Sequence, residues 1–210
     1  MLARGGNAFD AAVAVSAALG VVEPYGSGLG GGGFFLLHRA SDGLDVLIDA
    51  REVAPAAASE GMYLDASGEP IPGASRNGPL AAGIPGLPAA LVHLAENYGR
   101  LPLSESLQPA IRLAEQGFPA YDWHLTRLNR RAENMNDAAL AVFLPAGAPP
   151  AQGSPVRQVD LGETLRALAS AGRDGFYRGA VARQLVDGVR DGGGIWGAED
   201  LANYRIVERE

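Results

Sequence analysis

The chain has 210 residues, with 17 basic and 24 acidic side chains, a formal net charge of −7, and 47% hydrophobic against 20% charged residues. At about 150 residues per domain this is one domain or slightly more, with enough apolar material for a core and too much for a disordered chain. Every basic side chain is arginine, and neither lysine nor cysteine occurs. Those two zeros exclude a Schiff-base or P-loop lysine, a cysteine nucleophile, a disulfide framework and a thiolate metal site. The acidic balance argues against a nucleic-acid partner.

Asn7, after Gly5-Gly6, is placed to cap a first helix. Ala8, Ala11, Ala12, Val15 and Leu19 recur at helical spacing, and small residues all round predict a helix buried on several faces. Gly20 and Pro24 are its expected end. The apolar run 11–22 is too short to cross a bilayer of about 30 Å, so no membrane span is expected. Asn7 and Asp10 and the absence of an A-x-A-like site before Glu23 argue against a signal peptide. The chain opens almost directly into this helix, as expected of a segment whose leading part lies elsewhere.

Next comes Gly26-Ser27-Gly28-Leu29-Gly30-Gly31-Gly32-Gly33. Residues 34–39 and 44–50 read as two strands joined by a turn at Ser41-Asp42-Gly43, a hairpin. Their near-continuous apolar character predicts a sheet covered on both faces, sandwiched by helices. A Gly/Pro-rich stretch, 59–85, is expected as loop. Helices are expected over 87–98, 104–116, 121–134 and 161–171, with Ser104 as an N-cap and Leu107, Ile111 and Ala114 on one buried face. Residues 145–155 read as a linker. Helices over 179–190 and 198–204 close the chain. No internal repeat and no composition shift marks a boundary.

Gly26, Gly28 and Gly31 fit G-x-G-x-x-G literally. A dinucleotide site needs a strand before the glycines and a helix after them, and the order here is the reverse. The run is read instead as close backbone packing, positive φ, or a loop that lets backbone approach a ligand, and the sequence leaves these open. Asp49-Ala50-Arg51-Glu52-Val53-Ala54-Pro55 places an arginine at a strand end between two acids. Two readings stand: a buried ion pair, or a guanidinium that grips a carboxylate at two points. His38, His93 and His124 lack metal-ligand spacing, and His93 and His124 read as surface or packing residues. Ser27 lies in no nucleophile elbow, and Thr126 and Thr164 lie in expected helices. No convincing nucleophile, metal or cofactor site emerges. Tyr25, Phe34, Phe35, Phe176 and Tyr177 read as core residues more than ligand contacts.

Taken together, three segments resemble the large subunit of the gamma-glutamyltranspeptidase family. They are Gly5-Gly6-Asn7-Ala8-Phe9-Asp10-Ala11-Ala12, Gly30-Gly31-Gly32-Gly33-Phe34 and Asp49-Ala50-Arg51-Glu52-Val53-Ala54-Pro55. Gly83-Ile84-Pro85-Gly86, Gln108-Pro109-Ala110, Gly175-Phe176-Tyr177 before Gly179, and the stretch from Gly193 through Asp200-Leu201 to Tyr204 follow in the family's order. Each motif is weak by itself, and the ordered set is specific. Cephalosporin acylases of the same superfamily share much of the pattern.

The resemblance implies an α+β fold, the αββα sandwich of N-terminal nucleophile hydrolases, with only part of it present and residues 1–210 forming a single incomplete domain. It implies an autoprocessed precursor whose small subunit begins with the threonine nucleophile, and gamma-glutamyl compounds such as glutathione as substrates. Arg51 stands where the family binds the substrate's alpha-carboxylate. No catalytic residue and no cofactor is expected in this chain, which by itself should be inert. A cephalosporin-acylase-like amidohydrolase, or a non-catalytic binding or assembly module, are the alternatives. The resemblance favours a periplasmic or extracellular location, and the lysine-free composition suggests a bacterial source.

Overall fold

The computed structural model describes residues 1–209. They form two compact units: Met1–Gly28 with Leu91–Gly172, and Leu29–Ala90 with residues 173–209.

In the first unit, a short 3-10 turn at Leu2–Arg4 leads into α1 (Ala8–Val22). Asn7 caps α1 as expected: its side chain accepts from the Phe9 and Asp10 backbone N–H groups, while Asp10 accepts from the Asn7 N–H. The buried stripe is Asp10, Val13, Ala14, Ala17, Gly20 and Val21. This corrects the expected burial on several faces, since Ala8, Val15 and Leu19 are exposed. A helix rich in alanine carries too little contrast between its faces for periodicity to choose one.

Helix α1 packs on α3 (Leu103–Gln116), which in turn packs on α6 (Val159–Ala171). Leu107, Ile111 and Ala114 of α3 are buried as expected, as are Leu165 and Leu168 of α6. The expected Ser104 cap is not used. The helix starts at Leu103 after Pro102, whose fixed φ turns the chain into the first turn without a side-chain cap. Between these helices lie a short strand β3 (Phe118–Pro119), α4 (Asp122–Arg131), a 3-10 turn at Ala132–Asn134, and α5 (Asp137–Phe143). The segment expected to be a linker ends in β4 (Pro155–Val156), which pairs antiparallel with β3.

The second unit holds the hairpin, β1 (Gly33–Arg39) and β2 (Leu44–Ala50), paired antiparallel with Phe34 opposite Asp49 and Gly33 opposite Ala50. A third strand, β5 (Val207–Arg209), which the sequence does not advertise, pairs with β2 to give the order β1-β2-β5. Helices α7 (Asp174–Tyr177), α8 (Gly179–Asp191) and α9 (Ala198–Asn203) complete it. Helix α2 (Leu87–Asn97) begins in this unit and ends in the first.

One face of the sheet is buried through Leu37, Val46, Ile48 and Ala50. The other face is open, with Phe34 55% and Leu36 80% exposed. The expectation of a sheet covered on both faces is therefore corrected for the described residues. An apolar run shows that both faces suit apolar neighbours, and cannot show that one chain supplies both.

Candidate functional site

The open sheet face converges on the end of β2. Side chains alternate along a strand, so Asp49 and Arg51 share the face that carries Phe34 and Leu36. The Arg51 guanidinium carbon lies 5.9 Å from the centre of the Phe34 ring. Its nearest carboxylate is Glu52, with Nε to Oε2 at 3.5 Å, and the Arg51 side chain is 67% exposed. The alternative of a buried ion pair at Arg51 is thereby excluded, because the guanidinium keeps most of its donors in solvent. Asp49 is engaged elsewhere. It accepts from the Arg209 guanidinium at 2.8 Å and from the Arg51 backbone N–H at 3.2 Å. Those two interactions, Arg209 first, hold the Asp49 carboxyl below the usual carboxylate range.

The backbone under Arg51 is held tightly although its side chain is exposed. A Cβ at Gly32 would lie 2.2 Å from the Ala50 carbonyl oxygen, and one at Gly86 would lie 2.0 Å from the same atom. Neither glycine has a positive φ, so close approach is what requires them there. The Gly31 carbonyl accepts from the Gly86 and Leu87 N–H groups. The Tyr204 hydroxyl donates to the Arg51 carbonyl at 2.8 Å. Burial, and then the charges of Asp49 and Glu52, push that hydroxyl up to about 12, so it remains a donor at neutral pH. Val53 bridges Ile84 just beyond. The glycine run is thus a packing device at Gly32, while Gly26, Gly30 and Gly33 face open space at their Cβ positions.

A second layer supports Tyr204. Its ring stacks on that of Tyr177, with centroids 5.6 Å apart and planes at 9°. Tyr177 is fully buried, donates to the Pro85 carbonyl at 2.8 Å and accepts from the Ala89 N–H at 3.2 Å. The Arg173 guanidinium lies over the Tyr177 ring at 4.7 Å and donates to the Ala202 and Tyr204 carbonyls. Tyr177 and Phe176 are core residues, as expected. Phe34 is not: it is exposed beside Arg51. Tyr204, Gly86 and the Asp49–Arg209 pair are the parts sequence reasoning missed. Tyr204 and Gly86 lie inside motifs that carried the resemblance, which was the available signal.

The histidines are scattered. His38 meets Asp45 at 2.8 Å on the open face, His93 is half-buried, and His124 is buried. Among the described residues no group of three or more potential ligands could hold a metal ion, and no helix is long and apolar enough to cross a membrane. The chemistry open to the Arg51 site is two-point recognition of an anion by an accessible guanidinium on an immobilised backbone.

The gamma-glutamyltranspeptidase family model matches residues 1–210. The chain is 40% identical over 209 residues to a glutathione hydrolase proenzyme of Bacillus subtilis, covering 99% of this chain and 36% of that protein. In structure it resembles the gamma-glutamyltranspeptidase of Helicobacter pylori, with TM-score 0.96 and 38% identity over 100% of this chain and 60% of the other. It also resembles a cephalosporin acylase from Bacillus halodurans, with TM-score 0.86 and 31% identity over 100% of this chain and 40% of the other. The chain thus spans little more than a third of the proenzyme it matches. The α+β fold expected from the sequence is part of the fold of these N-terminal nucleophile hydrolases. A match along its whole length, by sequence model and by structure, makes this chain a member of the gamma-glutamyltranspeptidase family.

Proposed function

We propose that the chain provides the large-subunit portion of a gamma-glutamyltransferase/glutathione hydrolase, and that Arg51 grips the alpha-carboxylate of the gamma-glutamyl substrate. The observation that carries this reading is the accessible Arg51 guanidinium, mounted on backbone fixed by Gly32, Gly86 and Tyr204. Fixing the backbone reduces the disorder lost when substrate binds, so a charged hydrogen-bond pair is spent on recognition. The nucleophile, on this reading, is the N-terminal threonine of a small subunit of the same precursor. Its hydroxyl attacks the gamma-glutamyl carbonyl, its own amine takes the proton, and the amine product leaves. Water or an acceptor amine then attacks the acyl-enzyme and frees the threonine. The open apolar face of β1 supports a further layer of protein against the sheet.

The test is turnover of gamma-glutamyl-p-nitroanilide. The isolated chain gives none. Placed in the matched region of the Bacillus subtilis proenzyme, it supports self-cleavage and turnover. In that chimera Arg51→Ala raises KM about tenfold or more, the cost of losing one charged hydrogen-bond pair, with a smaller effect on kcat. An unchanged KM in a self-cleaved chimera would remove Arg51 from the site. The likeness to a cephalosporin acylase favours a second reading, cleavage of another acyl amide. Faster turnover of a glutaryl amide than of the gamma-glutamyl amide would select it.

A further inference from the structure

The first unit contains a pocket unrelated to the Arg51 site. It has a volume of about 460 Å³ and is lined from Pro24 and Tyr25, from α4 and from Phe143 of α5. That volume lies within the range of small-molecule sites. His124, Arg127, Leu128 and Arg131 recur at the spacing of one helix face, so α4 turns two guanidinium groups and an imidazole to the same side. Arg130 also lines the pocket, and no lining residue is acidic. Arg127 and Arg130 thus face a pocket whose lining carries no carboxylate, in a chain of net charge −7.

The inner wall is stranger still. His124 is 2% exposed, yet neither of its ring nitrogens has a hydrogen-bond partner among the described residues. It sits among the rings of Tyr25, Phe118, Tyr121 and Phe143, at centroid distances of 5.3 to 6.4 Å. The Arg127 Nε is also buried without a partner. Buried donors of this kind are ordinarily satisfied, and two beside one cavity point to an absent acceptor. The two nearby tyrosines do not serve the imidazole: the Tyr25 hydroxyl donates to the Tyr121 hydroxyl at 2.9 Å, which itself donates to the Val22 carbonyl, and neither bonds a ring nitrogen of His124. Leu128, Met135 and Phe143 give the same pocket an apolar side.

We propose that this pocket binds a small organic carboxylate with a ring-sized apolar body, the carboxylate meeting Arg127, Arg130 and the His124 imidazole and the body lying against Leu128, Met135 and Phe143. An oxyanion without an apolar body leaves that side unfilled, and a neutral amide leaves the guanidinium groups uncompensated. The proposal does not depend on the reading of Arg51.

Trp123 provides the signal, because the Arg127 guanidinium lies 4.3 Å from the centre of its ring. Benzoate is titrated into the chain while tryptophan emission is followed, with calorimetry in parallel. Benzoate should give a saturable change, and benzamide and inorganic phosphate should bind about tenfold more weakly or worse. Arg127→Gln combined with Arg130→Gln should cost benzoate at least about tenfold in affinity, and His124→Phe should also weaken it. The comparison of benzoate with benzamide on the unaltered chain needs no variant and stands if a variant fails to fold. No saturable response to benzoate, equal binding of benzamide or phosphate, or undiminished binding by a folded arginine variant overturns the proposal.

Discussion

Asp10 is completely buried, and its carboxylate accepts backbone N–H bonds from Asn7, Arg100 and Leu101. It therefore closes the cap of α1 and ties the turn after α2 to it. Asp10→Ala leaves those donors unmet, and the variant should lose about 2–4 kcal/mol of stability, read from the urea midpoint. In the sequence Asp10 showed as a polar residue ahead of the apolar run and as one member of the Gly5–Ala12 motif, with no sign of its burial. Asn7 was legible as a cap because that role is local, whereas the partners of Asp10 lie about 90 positions away. His124 carries a pH prediction. Burial lowers its pKa from the ordinary histidine value, so the folded state disfavours the imidazolium. A depressed value means the stability is fully present above the unfolded pKa of about 6.5 and is lost as pH falls below it. Melting temperature should therefore decline below about pH 6.5, and His124→Phe should flatten that decline.

Among the elements, the hairpin was legible to within one residue, because two short apolar runs flank a turn signal at Ser41-Asp42-Gly43. The Asp49–Ala50–Arg51 corner was only half legible. Its arginine and its acids could be seen, but not the three groups that pin it. Gly86→Ala would place a methyl 2.0 Å from the Ala50 carbonyl oxygen and 2.2 Å from the Tyr204 hydroxyl. Neither is the far end of a flexible chain free to move away. The substitution should cost at least about 3 kcal/mol, seen as a lowered melting temperature or loss of soluble protein. Strand β5 was invisible for a related reason. Three residues, Val207–Arg209, two on one face of the pleat and one on the other, make no pattern until β2 is beside them.

At the scale of the whole molecule, the exposed Phe34 and Leu36 give the sheet an apolar face beside an edge strand, β1, with no described strand beyond it. Such a face invites association. The isolated chain should self-associate with rising concentration in sedimentation velocity. Leu36→Lys should shift it toward the monomer without lowering its melting temperature, since a side chain 80% exposed contributes little packing. If the wild-type chain remains monomeric, the face is tolerated bare.

The sequence by itself determined the exclusions, the α+β class, the family and the placing of Arg51 at a strand end. These rest on residue identity, on local periodicity and on the order of motifs, which need no third dimension. Tertiary structure decided which side of α1 is buried, which face of the sheet is open, and that Arg51 is exposed rather than paired within the core. It also decided that Gly32 and Gly86 meet at one carbonyl and that His124 is buried beside three arginines. Burial and close approach are properties of pairs of residues distant in the chain, and one sequence read along its length does not state those pairs.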